Sequence, residues 1–121
     1  MNQSEPLILR TPLMAPELDN FMRVEAFDTH TSFNELIIRY LSIGIEKDSL
    51  RVIKHYENTS EIPNYKTVYI PALLDNFLTT KAKDINIGKG TLFMNYLVSG
   101  IEYEKGNLPS SLKKWFNSLE T

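Results

Sequence analysis

The chain contains no cysteine. That absence excludes disulfide frameworks, thiolate zinc sites and cysteine nucleophiles, and it permits a reducing compartment. Histidine is nearly absent too: His30 and His55 stand far apart, without HxxxH or HExxH spacing, so no metal site is expected. No general acid and base constellation stands out among the carboxylates, and the chain reads as a non-enzyme with no cofactor. A long apolar run is also missing. The best stretch, Leu36 to Ile45, is interrupted by Arg39 and falls far below the roughly 20 residues of a membrane span. The segment MNQSEPLILRTP lacks a basic start followed by an apolar core, so neither a signal peptide nor a membrane anchor is expected. Positive charge is not in excess: 13 Lys and Arg against 15 Asp and Glu give a net charge of -2, unlike a nonspecific nucleic-acid binder.

What the chain does have is a sentence written twice. LDNFMRVEAFDTHTSFNELIIRYLSIGIE begins at Leu18, and LDNFLTTKAKDINIGKGTLFMNYLVSGIE begins at Leu74, 74 − 18 = 56 positions later. Twelve residues of the first copy meet identical partners without a gap, among them Asp19 with Asp75, Tyr40 with Tyr96 and Gly44 with Gly100. Unrelated segments match at only roughly one position in fifteen. One supersecondary unit is therefore used twice. With 121 residues, 42% of them hydrophobic, either half alone would be marginal, whereas the two together can bury one core.

Within copy one, Phe33, Leu36, Ile37, Tyr40, Leu41, Gly44 and Ile45 follow helical spacing, and Ser32 with Glu35 forms an S-x-x-E capping box ahead of them. Copy two repeats the stripe at Leu92, Phe93, Tyr96, Leu97, Gly100 and Ile101, with Gly88-Lys89-Gly90 in place of the capping serine. A shorter helix precedes each: Leu18, Phe21, Met22 and Ala26 after Pro16, and Leu74, Phe77, Leu78 and Ala82 after Pro71. Ahead of the second short helix, YKTVYIP from Tyr65 to Pro71 favours a strand with Val68 and Ile70 on one side and Tyr65, Thr67 and Tyr69 on the other. Copy one offers PLILRTP, in which Leu7 and Leu9 oppose Ile8 and Arg10.

The order strand, helix, helix, carried by Ile70-Pro71-Ala72-Leu73-Leu74 in copy two and by Ser32-Phe33-Asn34 through Leu41 in copy one, resembles the ribbon-helix-helix DNA-binding proteins of the Arc and MetJ kind. The resemblance implies a mainly α fold with a short antiparallel β-ribbon, a tandem ribbon-helix-helix pseudo-dimer with an added C-terminal helix. It also implies double-stranded DNA as partner, with the ribbon inserted in the major groove. Carried over residue by residue, the outward strand positions become base readers: Ile8 and Arg10 in copy one, Tyr65, Thr67 and Tyr69 in copy two. Cross-strand packing is the plain alternative for the tyrosines. The starts of the longer helices become phosphate sites, at Ser32, Phe33 and Asn34 and at Gly88, Lys89 and Gly90, where capping or turning is the plain alternative.

Copy one carries LMAPE between Pro12 and Leu18, a few residues more than the family turn, which leaves two registers open. If Met14 points inward, Thr11 and Leu13 replace Ile8 and Arg10 outside. The register with Ile8 and Arg10 outward is favoured, because the other turns a guanidinium inward.

These readings divide the chain into copy one at 5–48, a linker at 49–64, copy two at 65–104 and an amphipathic C-terminal helix at 105–121. The longer helix of copy one is expected to run on through Leu50 and Ile53. The tail face of Leu108, Leu112, Trp115, Phe116 and Leu119 either packs on the repeats or mediates self-association. The expected function is sequence-specific DNA binding by a small transcriptional regulator of viral or plasmid type, in the cytoplasm or a host cell's cytoplasm. Alternatives are a relaxosome accessory protein for plasmid transfer and an antitoxin-like protein-interaction module.

Overall fold

The computed structural model describes residues 5–48, 50, 52–59 and 61–121. Among them are five helices, 60% of the described residues, and one two-stranded antiparallel sheet. No helix of the described residues is long and apolar enough to cross a membrane.

In each copy the chain enters its first helix through a proline. Helix α1 (Pro16–Thr29) has Pro16 in its first turn, where no partner for an N–H is needed, and Glu17 and Asp19 beside the positive end of its dipole. Helix α3 (Ala72–Asp84) starts from Pro71, with Asp75 in its first turn and Lys81 and Lys83 in its last. Helix α2 (Phe33–Lys47) begins at the expected capping box, with Ser32 accepting from the Glu35 N–H and Glu35 accepting from the Ser32 N–H. Helix α4 (Lys89–Lys105) is capped at its start by backbone alone at Gly88 and ends at Gly106, whose φ of 75° suits glycine.

The two longer helices cross at the centre of the core. A Cβ on Gly44 would overlap the carbonyl oxygen of Tyr96, and one on Gly100 would overlap that of Tyr40. Since 40 + 56 = 96 and 44 + 56 = 100, the contact is reciprocal between the copies. Around it Leu36, Ile37, Tyr40, Leu41, Leu92, Tyr96, Leu97 and Ile101 are fully buried, closed on one side by Leu18 and Met22 and on the other by Leu78.

Strands β1 (Leu7–Arg10) and β2 (Val68–Pro71) pair antiparallel, Ile8 with Ile70, Leu9 with Tyr69 and Arg10 with Val68, and an isolated bridge joins Leu13 to Tyr65. Partner numbers sum to 78 throughout (9 + 69, 10 + 68, 13 + 65), so the register sets Thr11 across from Thr67. Pro12 has no N–H, which interrupts the ladder between the two stretches, but its carbonyl still accepts from Lys66 N at 3.0 Å.

This pairing corrects the favoured register of copy one. Opposed residues share a face, so Ile8 and Arg10 lie with Val68 and Ile70 on the covered side, while Leu7 and Leu9 share the open side with Tyr69. Met14 is buried and Leu13 faces Tyr65, which is the second of the two registers. The guanidinium stays about half exposed at the rim of that side, where it meets the buried Asp75 carboxylate. LMAPE is no insertion. The 56-residue offset continues upstream, placing Thr11 on Thr67 and Met14 on Ile70.

The continuation of the longer helix is also overturned. Helix α2 stops at Lys47, where Asp48 turns left-handed (φ 38°) and its carboxylate accepts from the Tyr96 hydroxyl at 2.5 Å. Ser49 and Arg51 lie outside the described residues. Beyond them Lys54 lies outside any helix, its N–H and carbonyl held by the buried Asn95 side chain at 2.9 and 2.8 Å, and His55 bridges to Glu120. The last helix, α5 (Ser110–Ser118), packs on α1 and buries Leu112 and Trp115 in the chain's own core.

Candidate nucleic-acid interface

The open face of the ribbon is set by strand alternation. Tyr65, Thr67 and Tyr69 are exposed on β2 and its approach, as the sequence predicts, and opposite them stand Leu13, half-buried, and Thr11 and Leu9, both exposed. Extending the self-alignment upstream to Thr11 would have found the copy-one residues.

Beneath the ribbon, two aspartates related by the offset are buried, each clamped by cations. Asp75 takes Arg10 Nε at 3.0 Å and Nη2 at 2.8 Å from the other copy's strand, and Lys89 Nζ at 2.7 Å from the start of α4. Asp19 takes Arg23 at 3.2 Å, the Asn64 amide at 2.9 Å and, from the other copy's strand, Lys66 at 3.6 Å. Arg10 and Lys66 are themselves 56 positions apart, so each strand sends its cation to the other copy's aspartate. Burial pushes the Asp75 carboxyl up, but the bonds from Arg10 and Lys89 outweigh it and hold the group below the usual carboxylate range. At Asp19 burial is outweighed in the same way by Arg23, Asn64 and Lys66. Each cluster joins two cations to one carboxylate and so carries a net +1.

The helix starts flank the ribbon. Asn34, on the first turn of α2, donates to the Tyr69 carbonyl at 2.8 Å and accepts from the Tyr69 N–H at 2.7 Å, so it ties α2 to the outer edge of β2. Its counterpart is Gly90 (34 + 56), which has no side chain to offer the edge of β1. There Arg10 Nη1 donates to the Leu9 carbonyl instead, at 2.9 Å, and a groove of about 240 Å³ opens between Thr11, Leu78, Lys89 and Phe93. Ser32 and Gly88 are exposed, and the Phe33 ring lies under Lys66 Nζ at 5.3 Å. The structure thus brings Ser32, Phe33, Asn34, Gly88, Lys89 and Gly90 to the two sides of one ribbon, with Asn34 and Lys89 already engaged within the protein. Ile8 and Arg10 stand away from the open face.

Compared with protein-family models, curated proteins and solved structures, the chain finds no match in any of the three.

Proposed function

We propose that the chain is a tandem ribbon-helix-helix protein that binds duplex DNA sequence-specifically and acts as a small transcriptional regulator, its two copies standing in for a dimer. One observation carries this reading: strands from the two copies pair about Thr11 and Thr67 with an open outer face, and the N-terminus of α2 or α4 lies on each side. A two-stranded ribbon fits the major groove, and helix N-termini with free N–H groups suit the phosphates on either side. The net +1 clusters add positive charge there while the chain as a whole stays at -2. Binding to random-sequence duplexes across a salt series tests it, because each neutralised phosphate contributes a slope of about −0.9 in log affinity against log salt.

A second reading is favoured by the makeup of the open face. Leu7, Leu9, Tyr65 and Tyr69 are each about half exposed or more, which suits an antitoxin-like module that docks another protein. Salt-independent behaviour with no duplex bound supports that reading over the first.

A further inference from the structure

The six central positions of the open face are Leu9, Thr11 and Leu13 on one strand and Tyr65, Thr67 and Tyr69 on the other. None carries a guanidinium, ammonium, carboxamide or carboxylate. Those are the groups that take guanine, adenine and cytosine edges in pairs: Arg or Lys on guanine O6 and N7, Asn or Gln on adenine N6 and N7, Asp or Glu on cytosine N4. The strand cations that could have done so, Arg10 and Lys66, are on the covered face, turned to Asp75 and Asp19. What remains outside is methyl groups and hydroxyls. Threonine and leucine methyls complement one feature of the major groove, the C5-methyl of thymine, while threonine and tyrosine hydroxyls can donate to or accept from either base of an A·T pair.

We infer that the ribbon recognises thymine methyl groups, so that the DNA it takes is A·T-rich at the dyad where Thr11 meets Thr67. This deepens the DNA-binding reading above and rests on it. Because the strands run antiparallel, Leu9 opposes Tyr69 and Leu13 opposes Tyr65. Each half of the site therefore receives one leucine and one tyrosine, with the threonine pair between them. The halves present like chemistry although the copies differ, which suits a nearly palindromic target. The two net +1 clusters, with Arg10, Lys89 and Arg23 all partly exposed, supply the charge for the phosphates that flank it.

Alternating poly(dA-dT) and poly(dA-dU) differ only by the thymine methyl and provide the test, with poly(dG-dC) as a third probe and the full chain as the protein. Poly(dA-dT) should bind tightest, and loss of the methyl should weaken binding by about fourfold per methyl contacted, the worth of one buried methyl group. Thr11→Ser with Thr67→Ser keeps both hydroxyls and removes both methyls. It should narrow the dT-to-dU ratio while leaving the salt slope in place. Equal affinity for dT and dU polymers, or a preference for poly(dG-dC), with a steep salt slope, overturns thymine recognition and leaves DNA binding standing. No salt-dependent binding to any of the three removes both.

Discussion

Gly44 and Gly100 face each other where α2 crosses α4: a Cβ on Gly44 would come within 3.2 Å of the Gly100 nitrogen and would overlap the Tyr96 carbonyl. Backbone meets backbone here, so no side chain can rotate away to make room. Gly44→Ala and Gly100→Ala should each destabilise the protein by about 1–3 kcal/mol, despite the better helix propensity of alanine. Gly90, where an added Cβ meets nothing within 4 Å, is the control, and Gly90→Ala should cost nothing. Urea melts of the three variants check this; equal effects at all three positions would contradict the close crossing.

The copies are also locked to each other by reversed charge. Tyr40 donates to Glu25 at 3.0 Å, and Lys105 of the other copy joins that carboxylate at 2.7 Å. At the equivalent place Tyr96 donates to Asp48, and Lys81, the counterpart of Glu25 (25 + 56), approaches it at 3.6 Å. By the same offset Asp48 corresponds to Glu104 (48 + 56) and Lys105 to Ser49 (105 − 56), so the ion pair made by Lys105 has no counterpart in the other copy. Exchanging the charges with Glu25→Lys and Lys81→Glu sets like charges together at both places, a lysine at position 25 with Lys105 and a glutamate at position 81 with Asp48, and should lower stability by about 1 kcal/mol. Urea melts should detect the change. An unaltered melting curve would leave the charges without a role in holding the copies together.

Acid should unfold the protein partly through Asp19 and Asp75. Both are held below the usual carboxylate range in the folded chain, so in acid the unfolded chain takes up protons first. Their stabilisation is complete above about pH 5, declines through the ordinary carboxylate range and is gone once pH falls below the folded values. Asp75→Asn should lower stability at neutral pH and make the acid limb shallower. A limb of unchanged steepness would show that other carboxylates govern it.

Lys89→Ala should weaken binding to all duplexes alike and reduce the magnitude of the salt slope by about one, as expected for one phosphate contact. Arg10→Ala should reduce stability through the loss of its bonds to Asp75, without changing preference at any single base pair. Selection from random duplexes with each variant separates these effects. A guanine preference that disappears with Arg10 would put that side chain in the groove after all.

The sequence by itself determined the local structure. The helical stripe with its Ser32–Glu35 capping box set the start of α2, the prolines set the entries to α1 and α3, and alternation set the exposed face at Tyr65, Thr67 and Tyr69. These follow from residues within one turn or one strand of each other, where period and propensity act. The pairing decided what lay further apart. Arg10 turns to the covered side of the ribbon because a buried carboxylate 65 residues away receives it at the rim, a partner that no local pattern reveals. Helix α2 ends at Asp48 although apolar residues continue its spacing, and there the Tyr96 hydroxyl, 48 positions on, takes the carboxylate. Where an alternation or a helix end was locally ambiguous, the deciding energy came from a buried polar group and its distant partner, which only the tertiary structure brings together.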